Sequence, residues 1–173
     1  MQALKQNVGK AKNGNLLKVK RTSVSTTSKS FFCFIFSKDH VLLEFDEKKG
    51  FWMPISGEIG EGENVEEAAA RNVYKKTGLV INSFEPIGKL FLIFEGEAEN
   101  NKEVYIFIST DFSGTEKREN TLAWARKEEL ASRLPYYARL FLPALLSARR
   151  FKGEFFFDYS YSTKPLRYKI EQL

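Results

Sequence analysis

Apolar residues recur along the chain in short clusters, and their spacing changes once, near its middle. Residues 31–36 are six apolar side chains in succession, and residues 140–146 form a second such run interrupted by Pro143. Residues 31–37 and 41–45 read as strands joined through Lys38 and Asp39, and residues 51–59 as a strand running into a glycine-rich loop. The period then lengthens to a helical one over residues 64–76. Asn64 is placed to cap this helix, Glu67 stands at the capping-box position, Val65, Ala69 and Val73 form an apolar stripe, and Gly78 marks the stop. Strands follow at 79–95, 104–110 and 121–125. A second helix is expected over 137–150, with Pro143 opening a new first turn inside it, and residues 154–159 and 166–170 read as a closing hairpin. In that hairpin Phe155, Phe157 and Tyr159 alternate onto one face and are expected in the core. Before Ser30 no apolar period is sustained, apart from a short extended piece at 16–20. No internal repeat is visible.

With 173 residues, 43% of them hydrophobic and 28% charged, the chain has the balance of one globular domain with a core. Collagen-like, wholly disordered and multidomain readings are excluded. Neither apolar run approaches the roughly 18 residues that a membrane-spanning helix needs, so no membrane partner is expected. Cys33 is a single cysteine and His40 a single histidine, which leaves no internal disulfide and no zinc cluster and suits a reducing compartment.

Charge divides the chain sharply. Of the 27 bases, eight precede the first acid, Asp39, leaving 19 bases against 22 acids in the remainder. A basic segment of +8 thus precedes a body of −3, and the overall charge of +5 describes the segment more than the fold. Residues 1–28 are read as a basic flexible arm and residues 29–173 as the folded domain. A solvated tail, an organelle transit peptide and an arm that touches phosphates all fit the arm's composition. The expected location is cytoplasmic, with mitochondrial import through the acid-free segment as the alternative.

The candidate chemistry lies in the loop at 57–63 and the helix after it. Gly57, Glu63, Arg71, Val73, Gly78 and Leu79 stand at the spacing of the Nudix box, G-x5-E-x7-R-E-U-x-E-E-x-G-U with U aliphatic. Six of its nine defined positions agree, and Trp52 stands upstream where many members have an aromatic. The chain therefore resembles the Nudix (MutT-like) hydrolase superfamily. The resemblance implies an α/β (α+β) fold with a mixed sheet between helices, covering about residues 30–171, and a ligand of nucleoside-diphosphate type. Residues 151–157 are similar to the closing segment of Nudix proteins that hydrolyse oxidised purine nucleoside triphosphates. Those enzymes read the base with paired acids at the start of the last helix. Residues 134–139 contain no acid here, so that specificity is not carried over.

Three positions depart from the box, and in the family they carry glutamates that hold divalent metal. They are Asn72, Lys75 and Lys76. At spacing i, i+3, i+4 they are expected on one helix face. The lysines follow the helix dipole, as do Glu66 and Glu67 at the other end; ammonium groups there also offer part of the charge that metals would supply to a diphosphate. Glu63 is expected to anchor the loop and pair with Arg71. Glu119 lies five residues before Trp124, in the loop where family members often carry a further metal-binding or general-base carboxylate. Tyr136 and Tyr137 offer rings to a base or to the core.

The leading expectation is a divergent Nudix protein that binds a nucleoside-diphosphate-type ligand, or RNA bearing one, with weak or absent hydrolysis and no required cofactor. Its ligand-binding residues would be Gly57, Arg71, Asn72, Lys75, Lys76 and Tyr136. One alternative is an active pyrophosphohydrolase that uses Mg²⁺ or Mn²⁺ on Glu61, Glu63 and Glu119, with Glu63 and Glu119 catalytic. Another is a non-binding subunit that keeps the fold for a protein partner.

Overall fold

The computed structural model describes residues 27–160 and 162–173. The basic arm up to residue 26, with its expected extended piece, lies outside the described residues. The chain enters the described fold on β1 (Ser28–Ser37), and this strand explains the six-residue apolar run. Phe32, Phe34 and Phe36 point into one core and Phe31, Cys33 and Ile35 into another, all six buried. Side chains alternate across a strand, so a continuous apolar run is what burial on both faces requires.

Around β1 lie β2 (His40–Asp46), β3 (Phe51–Ile59), β5 (Glu85–Phe94), β6 (Lys102–Ser109), β8 (Leu122–Arg126), β9 (Phe151–Phe157) and β10 (Arg167–Gln172). They form one sheet in the order β10-β9-β5-β6-β1-β3-β2-β8. The β1–β6 and β5–β9 pairs are parallel and the other pairs antiparallel, so the sheet is mixed, as expected. A separate two-stranded piece joins β4 (Val80–Ile81) to β7 (Phe112–Ser113). The single strand expected over 79–95 is therefore two elements, broken at residues 82–84, where Asn82 bonds to the carbonyl and carboxylate of Asp111, next to β7.

Helix α1 (Val65–Thr77) covers the Phe31 face. The Asn64 side chain accepts hydrogen bonds from the Glu66 and Glu67 N–H groups, and Gly78 closes the helix at φ 78°. Ala68, Ala69 and Val73 bury against this core, and the small alanines let the helix sit close to β3. Gly57 makes the approach possible. A Cβ there would lie 2.8 Å from Asn72 Cγ and 2.9 Å from Phe31 Cε1.

The opposite face is covered by α2 (Leu130–Arg133) and α3 (Tyr136–Leu146). Phe141 stacks on Phe151 at 5.4 Å and meets Phe34 edge-on at 6.4 Å. Helix α3 runs through Pro143 without restarting, and it ends four residues before the expected Arg150. Ala148 takes a left-handed φ of 49°, its N–H bonds to the Leu145 carbonyl, and the Arg149 N–H bonds to that of Ala144. This is the Schellman closure that glycine usually marks, with alanine in its place. The closing hairpin forms as expected from β9 and β10, with Phe155 and Phe157 buried; Tyr159 lies past the strand end and is 49% exposed, not in the core.

Candidate functional site

The loop between β3 and α1 is organised by Glu63. One carboxylate oxygen accepts the Gly60 N–H at 2.9 Å, and the other accepts Arg71 Nη2 at 2.6 Å and Nε at 3.2 Å. The Gly60 N–H and then Arg71 hold the Glu63 carboxyl below its ordinary pKa. The expected anchor is therefore present, with both oxygens engaged in shaping the loop.

This loop forms one wall of a cavity of about 680 Å³. Phe32, Met53, Leu92 and Val104 give it an apolar floor from β1, β3, β5 and β6. Tyr137 from α3 completes the floor, and burial pushes its phenol pKa up. Gly57, Arg71, Asn72 and Lys76, named from the sequence as ligand-binding candidates, all line the cavity. Asn72 Nδ2 donates to the Ala68 carbonyl at 3.0 Å and to that of Glu58 at 3.4 Å, which ties the helix to the end of β3. Lys76 Nζ donates to Glu44 Oε2 at 3.0 Å, at the border with an adjoining cavity of about 350 Å³.

Several expectations are corrected. Lys75 is exposed and does not line the cavity; its carbonyl accepts Lys117 Nζ at 2.6 Å. At about 100° per residue, positions 72 and 76 lie some 40° apart, whereas position 75 is turned about 100° from 76. Tyr136 is 40% exposed, with Arg139 and Lys164 each 5.8 Å from its ring, and it is Tyr137 that reaches the cavity. Glu61, Glu63 and Glu119 are not brought together: among the described residues no three carboxylate, histidine or cysteine side chains converge to hold a metal ion. Glu119 is exposed in its loop and Glu61 is exposed beside Gly62, and neither lines the cavity. In the loop before β8 it is Glu116 that meets the Trp124 indole N–H, at 3.3 Å.

Sequence reading missed Asp46, Lys49, Glu58 and Lys102 as cavity residues, whereas Tyr137 stands in it beside Tyr136 as a ring for a base or for the core. Lys102 Nζ pairs with Glu58 Oε1 at 3.1 Å, while the Asp46 carboxylate accepts the N–H groups of Lys48 and Lys49. Lys49 stands at the rim, and desolvation followed by repulsion from Lys102 lowers its pKa. A run of Asp-Glu-Lys-Lys between two strands looks like any polar turn, and nothing local distinguishes a cavity lysine from a solvated one. Cys33 plays no part; burial pushes its thiol up to about 12.

The sequence profile of the NUDIX domain family matches residues 26–145. The oxidized purine nucleoside triphosphate hydrolase of Danio rerio is 30% identical over 119 residues, covering 65% of this chain and 76% of that protein. The protein of the same name from Mus musculus is 28% identical over 143 residues, covering 78% and 90% respectively. Among solved structures, a MutT protein from Bacillus halodurans superposes with a TM-score of 0.74 at 22% identity, covering 83% of this chain and 97% of its own. An ADP compounds hydrolase superposes at 0.53 with 20% identity, covering 70% of this chain and 72% of its own. At such identities the structures speak for the fold alone, whereas the profile spans more than half of the sequence, and the chain belongs to the NUDIX domain family.

Proposed function

We propose that the 680 Å³ cavity binds a ligand of nucleoside-diphosphate type and hydrolyses it weakly or not at all. The observation that carries this reading is the cavity's helix wall, which presents Asn72 and Lys76 where the family box has glutamates. Mg²⁺ takes hard oxygen ligands in octahedral geometry. An ammonium about 4 Å from a unit positive charge costs roughly 1 kcal/mol in water and about 4 at an effective dielectric of 20, and a dication doubles the figure. Lys76 and Asn72 therefore do not fit a metal cluster on α1. Without metal there is no strong Lewis acid to lower the pKa of an attacking water.

The same wall suits phosphate. Lys76 and Arg71 keep N–H donors beyond those used by Glu44 and Glu63, and the loop carries backbone N–H groups beside them. The floor of Phe32, Met53, Leu92 and Tyr137 offers apolar area to a base, with the Tyr137 hydroxyl available to its edge. Relatives whose names refer to oxidized purine nucleoside triphosphates support the nucleotide class. A second reading, that the same protein engages RNA, is favoured by the eight bases that precede any acid. Phosphate contacts from such an arm release counterions and bind without regard to sequence.

Thermal-shift measurements in EDTA with ADP, GDP, ADP-ribose, a nucleotide sugar and capped RNA test the proposal. A melting-temperature rise with at least one of them is expected, reduced in Lys76→Ala. No shift with any, or an unchanged shift in Lys76→Ala, overturns the role given to this wall.

A further inference from the structure

We infer that the cavity selects the metal-free form of a diphosphate, with Lys49 and Lys102 gripping it from outside the Nudix box, so that Mg²⁺ weakens binding instead of enabling it. This rests on the nucleotide-binding reading above and adds to it two binding residues and the charge state of the ligand. Cations line the cavity from three elements: Lys49 from the β2–β3 turn, Lys102 from β6, and Arg71 and Lys76 from α1. Three of them are already paired, Arg71 with Glu63, Lys76 with Glu44 and Lys102 with Glu58. Lys49 has no ion pair within 4 Å among the described residues; the nearby Asp46 accepts the N–H groups of Lys48 and Lys49 on a single carboxylate oxygen.

An ammonium carries three donors, so Lys76 and Lys102 each retain donors after one ion pair, and Lys49 retains all three. Lys49 and Lys102 also repel one another, which contributes to the lowered pKa of Lys49. A dianionic phosphate between them relieves that repulsion, and its oxygens take the spare donors. A chelated Mg²⁺ reverses both gains: it occupies the phosphate oxygens that the ammonium groups would use, and it brings two further positive charges among four cations. The carboxylates that line the cavity with these cations are Asp46, Glu58 and Glu63, each engaged as described, and they do not converge on a common point with a third ligand.

Isothermal titration of the full chain with inorganic pyrophosphate and with ADP, in EDTA and in excess Mg²⁺, tests the inference. Binding is expected in EDTA and is expected to weaken by about tenfold or more in Mg²⁺. The double variant Lys49→Met, Lys102→Met should lose affinity in EDTA by a similar factor while keeping the wild-type circular dichroism spectrum. Binding that is equal or tighter in Mg²⁺ overturns the inference and leaves nucleotide binding intact, as does a folded double variant that binds like wild type. If neither compound binds in either buffer, the nucleotide-binding reading falls, and the inference with it.

Discussion

Glu63 shapes its loop through both of its carboxylate oxygens. Its two oxygens tie Gly60 to Arg71, so its role in loop shape does not depend on metal. Its pKa in the folded protein is lowered, by the Gly60 N–H first and Arg71 second. The stability it contributes is therefore present above the ordinary carboxylate pKa of 4.5 and is lost as pH falls through the lowered folded value. Glu63→Gln is expected to melt a few degrees below wild type at neutral pH, with the gap closing on acidification; melting curves across pH 2 to 8 check this. A gap that persists at acid pH would contradict the charge-based account. At positions 72 and 76 the departures from the family box were visible in the sequence, because a motif of fixed spacing assigns each position by counting alone. That Lys75 turns away follows from helix geometry as well, but i, i+3, i+4 spacing groups 75 with 72 and hides the larger angle to 76.

At the level of elements, α1 was legible because its signals are local: the Asn64 cap, the stripe of Val65, Ala69 and Val73 and the Gly78 stop lie within one short segment. β1 and β3 were legible for a similar reason. The end of α3 was not, because its left-handed closing residue is Ala148, and no glycine announces it. β4 and β7 escaped because a two-residue ladder has no period to read. Closeness between elements is more demanding than their existence. Gly57 allows α1 to pack on β3, and Gly57→Ala is expected to cost about 1 to 3 kcal/mol by forcing Asn72 and Phe31 apart. Urea unfolding measures this, and a cost near zero would mean that α1 tolerates a wider seat. The cavity residues Lys49, Lys102 and Tyr137 come from a turn, a strand and a distant helix, so only the assembled sheet brings them together.

Across the whole molecule, a near-neutral cavity sits in a body of slightly negative charge that follows a strongly basic segment. The segment's binding to RNA should follow counterion release. For phosphate contacts from the six bases of residues 1–28 on a single strand, log K against log salt is expected to fall with a slope of up to about −4, and deletion of residues 1–28 should flatten it toward zero. RNA affinity unchanged by that deletion would assign RNA contact to the folded body. Nucleotide binding in the cavity should survive the deletion, since the lining residues belong to the described domain. The account as a whole turns on whether a NUDIX domain with Asn72 and Lys76 on its helix wall still performs metal-dependent chemistry. The most direct measurement is a hydrolysis screen of the full chain over nucleoside triphosphates, dinucleoside polyphosphates, ADP-ribose, nucleotide sugars and capped RNA, with and without Mg²⁺ and Mn²⁺. The expected result is little or no turnover and no stimulation by either metal, from protein that still binds nucleotide; robust metal-dependent turnover, abolished by Glu119→Gln, would contradict it.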